Sequence, residues 1–164
     1  MSEENSIDVY SFEKENREYF ERNLPPRPAT YFDSEGFKEI TRELLREQEN
    51  HDVYMHLIRD AQGTMVGRIN LSVLEDDRKT AELGYRIGEN VTNLGYASEA
   101  VKLVLEKAFT TYGLHKIIAG TATDNLISQR VLLKNGFTFS RIIENDFQMH
   151  NEWIHTAVFE IRNL

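Results

Sequence analysis

The segment best suited to chemistry is Gly88-Glu89-Asn90-Val91-Thr92-Asn93-Leu94-Gly95-Tyr96-Ala97-Ser98, which ends an alternating strand and opens a helix. The first turn of a helix presents unpaired N–H groups and the positive end of its dipole. Small residues there, Gly95 and Ala97, let the backbone come close to a bulky anion. The junction can therefore hold a pyrophosphate without any lysine or arginine. The same residues also suit a plain turn before a helix. The segment is not a Walker loop, since no Gly-Lys-Ser/Thr follows, and it is not a Gly-x-Gly-x-x-Gly dinucleotide fingerprint.

Other chemistries find less support. The chain has no cysteine, which excludes disulfides, thiolate metal sites and a cysteine nucleophile. Neither His51/His56 nor His150/His155 has the i, i+4 spacing of a helical metal pair, and no metal site is expected. No Gly-x-Ser-x-Gly elbow is present for Ser-His-Asp hydrolysis. A net charge of −8 argues against a nucleic-acid partner and is compatible with a cationic acceptor such as an amine or a basic peptide tail. No apolar run approaches the roughly 18–20 residues that span a bilayer. The opening Met1-Ser2-Glu3-Glu4-Asn5 lacks the basic and apolar regions of a signal peptide, so a cytoplasmic location is expected.

Periodicity supplies the elements that position these residues. Pro25, Pro26 and Pro28 separate two helical stretches, residues 7–23 and 34–49. Val9, Phe12, Asn16, Tyr19 and Phe20 fall near one face of the first. Phe37, Ile40, Leu44 and Leu45 recur at helical spacing in the second, with Asp33 or Ser34 as N-cap. Strands are expected over residues 53–59 and 65–74, joined by the turn Asp60-Ala61-Gln62-Gly63. A third strand, residues 80–88, places Leu83, Tyr85 and Ile87 on one face and Glu82, Gly84 and Arg86 on the other. In the helix that follows, residues 97–112, Val101, Val104, Leu105, Ala108 and Phe109 form an apolar stripe, and Gly113 stops it. Residues 115–123 read as a strand, and 125–135 as a short helix capped by Asp124 or Asn125 and closed by Gly136. Strands over 137–146 and 153–161 flank a polar turn around His150-Asn151-Glu152. The order is α-α-β-β-β-α-β-α-β-β. This is a single mixed α/β domain over residues 1–164 with a largely antiparallel sheet.

In this order and spacing, the residues resemble the GNAT superfamily of N-acetyltransferases, and within it the ribosomal-protein alanine N-acetyltransferase branch. The family's acetyl-CoA loop, Gln/Arg-x-x-Gly-x-Gly/Ala, is met by Thr92-Asn93-Leu94-Gly95-Tyr96-Ala97 at the last two defined positions. Thr92 stands where Gln or Arg is usual. Ala81 to Ile87 looks like the family's fourth strand, and Asn125-Leu126-Ile127-Ser128 leading to Gly136-Phe137 resembles the Asn-x-x-Ser…Gly-Phe motif. Asn16-Arg17-Glu18-Tyr19-Phe20 before the proline turn is similar to the same branch. The short strand with which members usually open is missing.

The resemblance implies an α/β (α+β) GNAT fold: a mixed, mostly antiparallel sheet flanked by helices, splayed between the family's fourth and fifth strands. It implies acetyl-CoA as cosubstrate, with no metal. Backbone groups of Tyr85, Arg86 and Ile87 are expected to bind the pantetheine arm and polarise the thioester carbonyl. Asn93, Leu94, Gly95, Tyr96, Ala97 and Ser98 are expected to hold the pyrophosphate. Asn125 is expected to bind the pantetheine amide, and Ser128 to lie near the sulfur as proton donor to the leaving thiolate. On residue type alone, the first reads as a helix cap and the second as a solvated helix residue. Glu82 is the expected base, with Glu144 and Asp146 as rivals near Phe147, where the branch often carries a functional carboxylate. Tyr19, Phe20, Tyr31 and Phe32 either shape an acceptor pocket or fill core. The expected acceptor is a protein or peptide N-terminal α-amine. A small amine (a polyamine, amino acid derivative or aminoglycoside) and a non-catalytic acetyl-CoA-binding module are the alternatives. The missing first strand leaves an edge that a homodimer would cover.

Overall fold

The alternating segments form one six-stranded sheet in the order β1-β2-β3-β4-β6-β5 in the computed structural model, which describes residues 1–163. β1 (Val53–Arg59), β2 (Met65–Val73) and β3 (Thr80–Ile87) are consecutive antiparallel neighbours. The turn between the first two closes as its residue types require: Asp60 Oδ1 accepts from the Gln62 and Thr64 amides, and Gly63 takes a φ of 83°. β4 (Lys116–Ala122) lies parallel to β3, while β6 (Glu152–Arg162) pairs antiparallel with β4 and with the edge strand β5 (Thr138–Met149). The fold is thus mixed and mostly antiparallel, with one parallel junction.

The helices cover the two faces unequally. α4 (Tyr96–Thr110) and α5 (Leu126–Lys134) share a core with one face of the sheet, where Val101, Val104 and Leu132 meet Leu71, Leu83, Ile117 and Phe159. On the opposite face α1 (Ser6–Glu15) and α3 (Ser34–Glu49) pack over β1 and β2 through Val9, Phe37 and Leu57. Asp33 caps α3 by accepting from the Gly36 amide at 3.1 Å.

The single helix expected over residues 7–23 is in fact two, α1 and α2 (Arg17–Asn23), broken at Asn16. The Asn16 side chain explains the break. Its Nδ2 donates to the Phe12 carbonyl, and its Oδ1 accepts from the Glu89 amide, both at 2.9 Å. A local side-chain bond competes with the helical ladder, and the second bond anchors the break beside the end of β3. The last hairpin is also longer than its hydrophobic pattern suggested. β5 continues past Asp146 to Met149 because His150 and Asn151, at φ 51° and 65°, close a two-residue turn. No strand precedes α1 among the described residues, so the opened pair that the family numbers fourth and fifth is β3 and β4 here.

Candidate active site

β3 and β4 pair at only three positions, Thr80↔Lys116, Ala81↔Ile117 and Glu82↔Ile118. Beyond them the strands part. β3 stays paired with β2 as far as Ile87, and β4 with β6 as far as Ala122, so each is held on its outer side alone. The inner edges of Leu83–Ile87 and Ala119–Ala122 therefore turn backbone groups toward the opening rather than toward a partner strand. Such groups require a hydrogen-bonding occupant or water. Gly67 allows β2 to follow β3 this far, since a Cβ there would lie 2.6 Å from the Arg86 carbonyl oxygen.

A helix begins near the far end of each strand. α4 starts after Gly95, which adopts φ 89° and supplies no side-chain cap. No heavy atom lies within 4 Å of where a Gly95 Cβ would stand. Asn93 is also left-handed, at φ 62°. The opening turn of α4 thus faces open space with its amides and dipole, the arrangement expected of an anion cradle. Thr92 Oγ donates to the Glu89 carbonyl at 3.0 Å, and Ser98 Oγ accepts from Asn135 Nδ2 at 3.3 Å, tying α4 to α5. Leu94 is exposed, whereas Tyr96 packs against the core. At α5, Asn125 Oδ1 accepts from the Ser128 amide at 3.1 Å, the N-cap geometry anticipated from residue type.

Tyr85 and Ser128 meet across the opening, their hydroxyls 2.8 Å apart. Burial raises the Tyr85 phenol above its ordinary value, and the hydrogen bond with Ser128 partly offsets this. Periodicity had grouped Tyr85 with Leu83 and Ile87 on one face of the strand, but nothing local to residues 80–88 announces a partner on α5. Glu82 sits at the last paired position, exposed, and its carboxylate makes no hydrogen bond or ion pair among the described residues. Glu144 and Asp146 are exposed in the irregular stretch of β5 between Ile143 and Phe147.

Arg86 points from β3 to the other face. There it donates to the buried Glu13 of α1 at 2.9 Å, a carboxylate that also meets Arg68 at 3.1 Å and Arg27 at 3.3 Å. Arg68 further donates to the Tyr31 hydroxyl at 3.3 Å, and the Arg86 guanidinium lies 5.0 Å from the Phe20 ring centroid. Burial lowers Arg86 from its ordinary value, Glu13 opposes the shift, and Arg27 and Arg68 add to it. Burial is also the main influence raising Tyr31. Sequence reasoning missed Glu13, Arg27 and Arg68. The available signal was spacing, because Glu13 follows Val9 by four residues and so shares its buried face. Of the aromatic residues considered, Phe20 and Phe32 line a cleft here, and Tyr31 is core. The tip of the last hairpin closes over this side, with His150 Nε2 3.1 Å from the Glu21 carbonyl of α2. A cavity of about 590 Å³ beyond the paired end of β3 and β4 is lined by Asp77, Lys79, Thr80 and Lys116, and by none of the candidate residues.

A sheet opened between parallel strands, with free backbone edges inside and an uncapped helix N-terminus at the mouth, suits a long ligand that carries both amide and pyrophosphate groups, as an acyl-CoA does. The chain belongs to the GNAT acetyltransferase family: the model for the acetyltransferase (GNAT) domain matches residues 3–138. It is similar to the probable N-acetyltransferase YjcK of Bacillus subtilis, with 30% identity over 92% of this chain and 84% of that protein. Among solved structures it resembles the ribosomal-protein-S5-alanine acetyltransferase from Vibrio fischeri, with a TM-score of 0.92 at 18% identity, covering 99% of this chain and 90% of that one. It also resembles spermidine N-acetyltransferase from Vibrio cholerae, with a TM-score of 0.81 at 17% identity over 99% and 92%. At such identities the structural likeness is one of fold. As a family member the chain is an acetyl-CoA-dependent N-acetyltransferase, and the opened strands and free α4 terminus fit that cosubstrate. Among the described residues no helix is long and apolar enough to cross a membrane.

Proposed function

We propose that the protein acetylates the N-terminal α-amine of a peptide or protein; its relatives include a ribosomal-protein-serine acetyltransferase of Escherichia coli and the ribosomal-protein-S5-alanine acetyltransferase from Vibrio fischeri. The observation that carries this reading is the charge lining the face of β3 opposite α4. Arg27, Arg68 and Arg86 converge there, and the buried carboxylate among them, Glu13, is already shared by all three. A polyamine, such as the spermine bound in the Vibrio cholerae spermidine N-acetyltransferase, needs several free carboxylates and would meet guanidinium groups instead. An α-amine, with a pKa near 8, is partly neutral at pH 7, whereas a lysine amine near 10.4 is not. A modest base therefore suffices.

Acetyl-CoA supplies an activated acyl carbon, and the chain supplies position and proton management. The amides of Tyr96, Ala97 and Ser98, opened by Asn93, Leu94 and Gly95, hold the pyrophosphate. The inner edge of Tyr85, Arg86 and Ile87 and the Asn125 side chain hold the pantetheine, and a β3 amide polarises the carbonyl. As the amine nitrogen bonds to the acyl carbon and the carbon–sulfur bond breaks, Glu82 takes the amine's proton, directly or through water. Ser128 passes its proton to the departing sulfur and regains one through the Tyr85 hydroxyl, which is replenished from water; the proton taken by Glu82 is released to solvent.

A competition assay tests this reading. Equal concentrations of an alanine-initiated peptide and spermidine are offered with acetyl-CoA, and both products are quantified. Preferential peptide acetylation is expected. Exclusive acetylation of spermidine would overturn the assignment and leave the small-amine reading in its place.

A further inference from the structure

The cavity of about 590 Å³ at the paired end of β3 and β4 stands apart from the acyl-transfer site. Thr80 and Lys116 open it on the sheet face opposite α4, because the alternate residues Ala81 and Ile117 belong to the α4 core. Its volume falls in the range of about 300–1,000 Å³ that small-ligand sites occupy. Ile87, where β3 ends on the side of the α4 terminus, is about 23 Å along the strand from Thr80. The two places are separate.

Four cations line this cavity, each from a different part of the chain. Lys79 comes from the β2–β3 connection, Lys116 from the start of β4, Arg141 from β5 and Arg162 from the end of β6. Two carboxylates answer them. Glu160 accepts from Lys116 at 2.7 Å and meets Arg162 at 3.5 Å, so one anion serves two cations. The oxygens of Asp77 are engaged by the Thr80 hydroxyl at 2.6 Å and the Lys79 amide at 3.0 Å. Lys79 Nζ donates to the Gly113 carbonyl at 3.2 Å, and neither Lys79 nor Arg141 meets a carboxylate among the described residues. Glu82, next on the same face of β3, is outside the lining. The wall thus keeps two positive charges beyond its two carboxylates, in a chain of net charge −8. A concave wall focuses the field of such an excess on whatever enters.

We infer that this cavity binds a compact polyphosphate-type anion, with Arg141 and Lys79 as the donors that no carboxylate occupies and Lys116 and Arg162 adding charge. Arginine offers a planar fork of donors that matches phosphate oxygens, and lysine serves as a point charge. No phenylalanine, tyrosine or tryptophan lines the wall, so a nucleotide base finds no such ring to stack on and the phosphates alone are read. The site is additional to acetyl transfer and does not depend on which amine is acetylated.

Pyrophosphate is titrated by calorimetry into Gly95→Glu, which blocks the α4 cradle, and into the same variant carrying either Arg141→Gln or Arg42→Gln. Arg42 belongs to α3, which packs on β1 at the other side of the sheet, so its loss removes the same charge elsewhere. Gly95→Glu should bind one pyrophosphate per chain. Arg141→Gln should weaken that binding at least about tenfold, the scale of a charge-assisted hydrogen bond, and Arg42→Gln by less than about twofold. No binding to Gly95→Glu, or a loss in Arg141→Gln no larger than in Arg42→Gln, would overturn the inference. Tripolyphosphate and ATP are then compared on Gly95→Glu. ATP less than about tenfold tighter than tripolyphosphate supports recognition of phosphates alone, whether free or carried by a larger molecule. A greater preference for ATP would assign the site to a nucleotide and refute the compact-anion reading.

Discussion

The hydroxyls of Tyr85 and Ser128 lie 2.8 Å apart, joining β3 to α5 across an opening where the two parallel strands no longer touch. Because burial raises the tyrosine, it stays protonated through the neutral range and can donate to the serine. Tyr85→Phe and Ser128→Ala should each lower kcat by about 10²-fold, the usual scale for a positioned proton donor. The double variant should be little worse than the poorer single one, because the two act as a unit. Independent, multiplicative losses in steady-state kinetics would show that the pair does not share one proton path.

Gly95→Glu tests the anion cradle. A side chain at φ 89° is strained by about 1–2 kcal/mol, and this one also places a carboxylate in the space before α4. Calorimetric titration should show acetyl-CoA affinity reduced by at least about tenfold, since 1.4 kcal/mol is one decade. The circular dichroism spectrum should be unchanged. Undiminished binding would move the phosphate site elsewhere.

Glu13→Gln removes the charge between Arg68 and Arg86 while keeping the shape. Breaking a buried ion pair from one side costs about 3–5 kcal/mol, a large share of a domain's stability. Urea denaturation should register a loss of that order. A change under about 0.5 kcal/mol would mean that the arginines are solvated without Glu13.

Much of this was legible locally. Alternation over residues 80–88 assigned Leu83, Tyr85 and Ile87 to one face and Arg86 to the other, and Gly95 marked the start of α4. These features depend on periods of two or 3.6 residues and on a positive φ, which short windows of sequence encode. The cluster around Glu13 depends instead on contacts with Arg27, Arg68 and Arg86, residues brought from a loop and two strands, and Tyr85 finds Ser128 43 residues away. No local pattern contains such pairs. The break at Asn16 was hidden for a related reason, since its side chain completes its bonding at Glu89.

His56 gives the fold a pH dependence. Burial, then Lys107 and the chain's amino terminus, lower its pKa from 6.5, and its Nε2 lies 3.0 Å from the Tyr112 hydroxyl. A depressed folded value means that the unfolded chain takes up the proton first. The stabilisation is therefore complete above 6.5 and is lost as pH falls through the lower folded value. The urea midpoint should fall between pH 7.5 and 5.5, and His56→Gln should flatten that slope. An equal slope in the variant would assign it to other groups.

The central claim, that the opened β3–β4 pair delivers acetyl to an α-amine, is tested most directly by mapping the acetylated nitrogen. One peptide with a free N-terminal alanine and an internal lysine is incubated with acetyl-CoA and the protein, then fragmented in a mass spectrometer. The account predicts a single acetyl group on the α-nitrogen, absent with Gly95→Glu. Modification of the lysine with the α-amine left free would contradict it.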